Sequence, residues 1–93
     1  MAFFIWDKKK EEHNKQIHRL DFVEAARAFF DPNCIIAVDE DHSQYEERFY
    51  CIGKVNNKCI TVRFTYREDQ IRIIGAGYWR KGRKLYEKEN KKI

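Results

Sequence analysis

An alternating run in the second half of the chain restricts the possible folds more than any other segment. Between residues 59 and 67, apolar side chains occupy every second position, with threonine or arginine between them. The apolar residues are Ile60, Val62, Phe64 and Tyr66, and the others are Thr61, Arg63, Thr65 and Arg67. Because successive side chains of a strand point to opposite faces, this pattern predicts a strand with one apolar face and one arginine-bearing face.

A predicted hairpin extends this strand into a sheet. Residues 68–70 are polar and predict a turn, after which residues 71–75 return as a strand that carries Arg72. Further strands are predicted at residues 3–6, 34–38 and 45–53, with a polar loop at 39–44 and a turn at Asn56-Asn57. The stretch Gly75-Ala76-Gly77 is expected to follow the sheet as a conformationally flexible segment of backbone.

Three segments are predicted to be helical. Residues 21–31 are the clearest, because Asp21 is a suitable N-cap and Asp31-Pro32 stops the helix. Its apolar residues share one helical face: Phe22, Ala25, Ala26, Phe29 and Phe30. Residues 7–18 favour a helix by composition but have almost no apolar stripe, so this helix should be exposed. Residues 79 to about 90 predict a final helix, which Gly82 weakens.

This order of elements predicts an α+β fold in one domain spanning residues 1–93. The sheet is expected to be small and antiparallel, with two N-terminal helices and one C-terminal helix. Three cysteines without a Cys-x-x-Cys pair argue against a disulfide framework or a zinc site and favour reduced core residues. No metal or cofactor is expected. The apolar runs are far shorter than the ~20 residues that span a bilayer. There is also no signal-peptide pattern, so we expect a cytoplasmic protein without a membrane partner.

The charges divide the chain into an acidic middle and a basic end. Residues 20–47 carry one basic and eight acidic groups, a balance of −7, whereas residues 48–93 carry 13 basic and four acidic groups, a balance of +9. The basic part suits a phosphate backbone, and the acidic residues 39–47 suit a basic partner. Ordinary solvated faces would also explain both runs.

Three segments, in their order and spacing over roughly residues 3–88, resemble the BrnT family of ribonuclease toxins. The first is Phe4-Ile5-Trp6-Asp7, Asn14, His18, Phe22-Val23-Glu24-Ala25-Ala26 and Asp31-Pro32. The second is Asp41-His42-Ser43, Glu46-Glu47-Arg48-Phe49 and Ile52-Gly53. The third is Phe64-Thr65, Arg67, Arg72-Ile73-Ile74, Ala76 and Arg83-Lys84-Leu85-Tyr86-Glu87.

The resemblance implies a RelE-like fold and RNA cleavage that inhibits translation. It also implies a BrnA-like antitoxin that neutralises the toxin and binds DNA, so that DNA is contacted only through the complex. The chain departs from the family pattern where Ile17-His18-Arg19 stands in place of Lys-His-Gly, and where Gly75-Ala76-Gly77 stands in place of Ser-Ala-Arg. It therefore lacks one lysine and one arginine, and Arg80 is a candidate to replace the arginine.

Metal-independent RNA cleavage needs a base for the attacking 2′-hydroxyl, cations for the phosphorane and an acid for the leaving oxygen. Histidine and glutamate are suitable bases, and arginine binds phosphate oxygens with its planar fork. The predicted catalytic residues are His18, Glu47, Arg48, Arg72 and Arg80. The predicted RNA-binding residues are Arg63, Arg67, Tyr78, Lys81 and Lys84.

Other interpretations remain open for these residues. The arginines would also suit surface ion pairs with Glu46, Glu47 or Glu68, and His18 would suit an exposed loop. Trp79 would suit packing of the last helix onto the sheet. The alternative function is a catalytically weak module that binds an antitoxin and helps to repress DNA without cutting RNA. A plain nucleic-acid-binding domain is a third possibility.

Overall fold

The computed structural model describes residues 3–91 and contains five strands and three α-helices. The strands are β1 Phe3–Trp6, β2 Ile35–Val38, β3 Phe49–Val55, β4 Lys58–Arg67 and β5 Gln70–Gly77. The helices are α1 Lys8–His18, α2 Phe22–Ala26 and α3 Arg80–Glu89. Short 3-10 turns cover Arg27–Phe30 and Glu40–His42. The predicted α+β class is confirmed.

The five strands form one sheet in the order β1-β5-β4-β3-β2. β2, β3, β4 and β5 pair antiparallel to one another, as predicted, but β1 runs parallel to β5. The sheet is therefore mixed, and the prediction of a purely antiparallel sheet is wrong. The reason is that two helices and three strands separate β1 from β5 along the chain, so no hairpin fixes the direction of β1.

Side-chain caps set the ends of the first two helices. Asp7 accepts a hydrogen bond from the Lys10 N–H, and Asp21 accepts one from the Glu24 N–H. Glu11 of α1 accepts from the Phe22 N–H, so one helix also caps the next. The predicted helix 21–31 exists only as far as Ala26 and then tightens into the 3-10 turn, which ends before Pro32.

The apolar core lies between α2 with its 3-10 turn and one face of the sheet. Its fully buried side chains include Leu20, Phe22, Ile60, Val62, Phe64 and Ile73. The alternation in β4 thus predicts the core side correctly. Gly53 allows the close approach of the 3-10 turn, because a Cβ there would lie 2.3 Å from the Ala28 carbonyl oxygen.

Helix α3 packs against one end of the opposite sheet face. Gly82 lies directly over Thr61, since a Cβ at residue 82 would be 2.0 Å from Thr61 Oγ1. The Tyr86 hydroxyl donates to the Asp31 carboxylate, which ties α3 to the loop before β2. The glycine that weakens the helix by propensity is therefore required by packing.

Two local predictions differ from the structure. Residues 45–48 are not part of a strand, because the loop after β2 extends to Arg48 and closes through the Asp39 N–H bond to the Arg48 carbonyl oxygen. Gly75 and Gly77 lie inside β5 rather than after it. A bulge at Ile74 separates the Phe64–Ile73 pair from the Arg63–Gly75 pair. No helix within residues 3–91 is long and apolar enough to cross a membrane.

Candidate active site

The sheet face opposite the apolar core carries a group of arginines. Arg63 and Arg67 project from β4 on the side away from Val62 and Phe64, as their alternation predicts. Arg72 on β5 is the cross-strand partner of Thr65, and Arg48 immediately precedes β3. We call this surface, bearing Arg48, Arg63, Arg67 and Arg72, the arginine face. Helix α3 covers the end of this face near Thr61.

Arg63 occupies the middle of the arginine face. Its side chain is half-buried, and its guanidinium carbon lies 5.9 Å from the centroid of the Trp79 ring. The Nε atom of Arg63 is buried and has no hydrogen-bond partner within residues 3–91. Stacking on Trp79 holds such a guanidinium in place, and no ion pair within residues 3–91 neutralises its charge.

His18 meets the same tryptophan from the other direction. It is the last residue of α1, it is half-buried, and its ring centroid lies 5.4 Å from that of Trp79. The interpretation of His18 as an exposed loop residue is therefore wrong. His18 and Arg63 also line one cleft of about 450 Å³. The fold thus brings together an acid–base group and a cation that are 45 residues apart in sequence.

Two glycines of β5 make room for this arrangement. A Cβ on Gly75 would lie 2.8 Å from a terminal nitrogen of Arg63, and a Cβ on Gly77 would lie 3.0 Å from the Trp79 ring. Gly77 stands where the resemblance leads us to expect an arginine. The Trp79 ring packs over this position instead. This close approach explains the glycines, which do not have positive φ angles.

Ion pairs divide the four arginines into two kinds. Glu46 lies 3.7 Å from Arg48 and 3.9 Å from Arg67, so one carboxylate serves both. Within residues 3–91, neither Arg63 nor Arg72 forms an ion pair. The ion-pair interpretation thus holds for Arg48 and Arg67 and fails for Arg63 and Arg72.

The chain also matches a protein-family model. Residues 6–82 match the family model described as the ribonuclease toxin BrnT of type II toxin–antitoxin systems. The chain belongs to the BrnT family. No curated protein matches the chain. The match includes His18, the four arginines of the arginine face and Trp79, whereas Lys84 lies beyond it.

The aromatic and basic residues at the start of α3 form a second cleft in this BrnT protein. Tyr78 is 45% exposed, and the Lys58 ammonium lies 5.7 Å from its ring centroid. Arg80 lines this cleft together with Tyr78 and Trp79. It does not line the cleft that contains His18 and Arg63. Lys81 and Lys84 are exposed on α3. Trp79 packs against the sheet at Gly77, as one interpretation predicted, and it lines the second cleft.

Glu47 is less well placed for catalysis than the sequence suggests. Its side chain is exposed, and its backbone carbonyl accepts a hydrogen bond of 2.7 Å from Thr65 Oγ1. The backbone of Glu47 therefore fixes the loop to β4. The role of its carboxylate remains a prediction.

Sequence reasoning missed two residues beside the arginine face. Tyr50 is the cross-strand partner of Arg63, and Asp39 lies close to the Tyr50 phenol at the end of β2. Burial, together with the nearby carboxylate of Asp39, raises the pKa of Tyr50. The signal that would have found Tyr50 is its spacing of two from Arg48, which puts both on one face of an extended segment.

Proposed function

We propose that this BrnT-family protein is an endoribonuclease toxin that cleaves RNA by internal attack of the 2′-hydroxyl, without a metal ion. The observation that carries the proposal is that His18 and Arg63 line one cleft and that both side chains lie against the Trp79 ring. This arrangement supplies a proton acceptor and a fixed cation side by side. We also propose that the mixed sheet with its arginine face belongs to the RelE-like type of toxin fold.

Each requirement of the reaction has a candidate side chain. His18 accepts the 2′-hydroxyl proton at a ring nitrogen, as histidine most often does in general base catalysis. Arg63 and Arg72 stabilise the phosphorane, because they keep their charge and have no competing carboxylate within the described residues. Arg48 and Arg67 hold neighbouring phosphates and exchange Glu46 for them.

The clefts and charges extend the proposed interface beyond the reacting phosphate. Tyr78 offers an exposed ring for base stacking beside Lys58 and Arg80. Lys81 and Lys84 contribute diffuse contacts to the RNA backbone. Cleavage of messenger RNA by such a surface would inhibit translation in the cytoplasm.

The type II classification implies an antitoxin partner, and we propose that it is BrnA-like and carries the DNA-binding function of the complex. Residues 39–47 remain our candidate contact with it. Asp39 is 3% exposed and bonded to His42, so the available charge in this segment comes from the exposed Glu40, Asp41 and Glu47 instead. A basic segment of the antitoxin would be complementary to it.

The direct test is incubation of the purified protein with RNA in the presence of a chelator, followed by analysis of the ends of the products. Internal attack predicts fragments with 2′,3′-cyclic phosphate and 5′-hydroxyl ends. His18→Ala should lose ~10²–10⁴ in rate, as for removal of a positioned acid–base group. A folded wild-type protein that leaves RNA intact would disprove the proposal.

The alternative of a catalytically weak antitoxin-binding module is supported by one position in the cleft. Ile17 is 58% exposed and lines the cleft that contains His18 and Arg63. The resemblance to the family leads us to expect a lysine at this residue. Growth arrest on expression, relieved by the cognate antitoxin, distinguishes the two functions. The toxin arrests growth, whereas the module does not. An Ile17→Lys variant that gained activity would identify a weakened active site.

A further inference from the structure

The cleft that contains His18 and Arg63 has a second histidine in its lining. His13 precedes His18 by five residues on α1, and both side chains line the same cleft of about 450 Å³. Five residues span about 7.5 Å along the axis of a helix. Two imidazoles at this spacing, on the wall of one cleft, leave room for a phosphate group between them.

The charged side chains that line this cleft are basic. Lys9 and Lys10 line it from α1, and Arg63 lines it from β4. Within residues 3–91, none of these three cations forms an ion pair. The glutamates of α1 do not line the cleft, and Glu11 instead accepts a hydrogen bond from the Phe22 N–H. A cleft lined in this way favours an anion, and an RNA phosphate has the required charge.

A buried asparagine fixes this part of α1 on the sheet. Asn14 is 8% exposed, and its Nδ2 atom donates to the Leu20 carbonyl oxygen at 2.9 Å. Its Oδ1 atom accepts from the Ala76 N–H at 3.1 Å, beyond the part of β5 that pairs with β1. Because Asn14 lies between His13 and His18 on one helix, these two bonds hold both histidines in place relative to β5.

The cleft supplies a proposed base and a fixed cation, but the leaving 5′-oxygen also needs a proton. Arg63 is unsuitable as its source, because arginine keeps its proton in proteins. Histidine is the side chain that most often transfers protons in catalysis. The side chain of His13 is exposed at the cleft and forms no ion pair within residues 3–91, so it is accessible to a substrate there.

We propose that His13 is the general acid of the RNA cleavage reaction and acts with His18 on a phosphate bound in this cleft. The proposal rests on the proposed function. In the step, the 2′-oxygen forms a bond to phosphorus as His18 takes its proton, and the bond from phosphorus to the 5′-oxygen breaks. A ring nitrogen of His13 gives its proton to that departing oxygen. The products are a 2′,3′-cyclic phosphate and a 5′-hydroxyl, and proton exchange with water restores both histidines.

The test compares His13→Gln with wild type in single-turnover cleavage of two substrates. One has the natural 5′-oxygen leaving group and the other has a 5′-sulfur at the cleaved bond. A thiol is a far stronger acid than an alcohol, so the sulfur leaves without a proton donor. We expect His13→Gln to cleave the natural RNA ~10²–10⁴ more slowly and to cleave the sulfur substrate at nearly the wild-type rate.

Two further variants separate proton donation from other effects. His18→Ala should be slow on both substrates, because the 2′-hydroxyl needs a base whichever group leaves. Lys10→Gln is the matched control, because Lys10 lines the same cleft from the same helix, and any defect should be equal on both substrates.

Equal rates for His13→Gln and wild type on natural RNA would overturn the assignment of His13 and leave the ribonuclease function intact. A His13→Gln defect that persisted with the sulfur substrate would overturn it too, as would an equal recovery of Lys10→Gln on that substrate. Folded wild-type protein that cleaved neither substrate would overturn both proposals.

Discussion

At the scale of single residues, the position of the Arg63 guanidinium depends on the lack of a side chain at residue 75. A Cβ on Gly75 would lie 2.8 Å from a terminal Arg63 nitrogen. The guanidinium is the far end of a flexible side chain, so Gly75→Ala should displace it at little cost to folding. Gly75 has no positive φ angle that would make alanine strained.

We therefore expect Gly75→Ala to slow RNA cleavage by about tenfold or more, since a displacement near 1 Å can cost on the order of 10²-fold. The thermal unfolding midpoint should stay close to that of the wild type. A double-mutant cycle provides the control, because Gly75→Ala should have no further effect in an Arg63→Ala background. Additive effects of the two changes would show that Gly75 acts on something other than Arg63.

The sequence identifies some of these residues and conceals others for physical reasons. The alternation of β4 places Arg63 and Arg67 on one face correctly, because a strand has a period of two. The meeting of His18 with Trp79 depends on how the parallel pairing of β1 with β5 positions α1, which no local pattern records. The position of Tyr50 beside Arg63 depends on the register between β3 and β4, which no local pattern records.

At the scale of elements, α3 lies on the sheet only because residue 82 has no side chain. Alanine favours a helix over glycine by about 1 kcal/mol, but a Cβ 2.0 Å from Thr61 Oγ1 would push the helix away from the sheet. The packing cost of such a forced contact is about 1–3 kcal/mol, and sometimes more. Local propensity and tertiary packing therefore oppose each other at this position.

We expect Gly82→Ala to lower the free energy of unfolding by up to about 2 kcal/mol after the gain in helix propensity. Denaturant unfolding measures this directly. Lys81→Ala is the matched control, because Lys81 is an exposed neighbour on the same helix and its loss should stay within about 0.5 kcal/mol. Greater stability of Gly82→Ala than of wild type would contradict the packing of α3 on Thr61.

The contact between α3 and the loop before β2 makes stability depend on pH. Burial alone raises the pKa of Asp31, but hydrogen bonds from the Lys54 N–H and the Tyr86 hydroxyl outweigh it and hold this pKa below its ordinary value of 3.8. The pKa of Asp31 is therefore lower in the folded protein than in the unfolded protein. The stabilisation is fully present above the pKa of the unfolded protein and is lost as the pH falls through the pKa of the folded protein.

Urea unfolding of wild type and Tyr86→Phe at a series of pH values tests this contact. Between about pH 5 and the depressed folded pKa, wild type should lose stability more steeply than Tyr86→Phe, which lacks the hydroxyl donor. In Asp31→Asn, the pH-dependent stabilisation by this carboxylate should be absent. Parallel curves for all three proteins would show that Asp31 does not stabilise the attachment of α3.

At the scale of the whole molecule, the sequence predicts the distribution of charge better than the topology. The +9 balance of residues 48–93 includes all four residues of the arginine face and the basic residues of α3. The acidic residues of the loop after β2 lie next to that face through the bond between Asp39 and Arg48. The direction of β1 is a long-range property and follows from no charge or hydropathy pattern.

We expect RNA affinity to fall steeply with salt. We assume that the four arginines each neutralise one phosphate. A plot of the logarithm of the binding constant against the logarithm of the salt concentration should then have a slope of about −3 for single-stranded RNA. Fluorescence anisotropy with a labelled oligonucleotide measures this slope, and Arg67→Ala should make it shallower by about 0.7. An affinity that is independent of salt would contradict electrostatic binding by this surface.

The central claim is that strand-borne arginines of the arginine face stabilise the reacting phosphate, and single-turnover cleavage tests it most directly. Arg63→Ala and Arg72→Ala should each lower the rate of the chemical step by ~10²–10³, because a fixed charge is lost. Lys84→Ala, on the exposed surface of α3, should weaken RNA binding modestly and leave that step unchanged. A folded Lys84→Ala with a greater chemical defect than Arg63→Ala and Arg72→Ala would contradict the account.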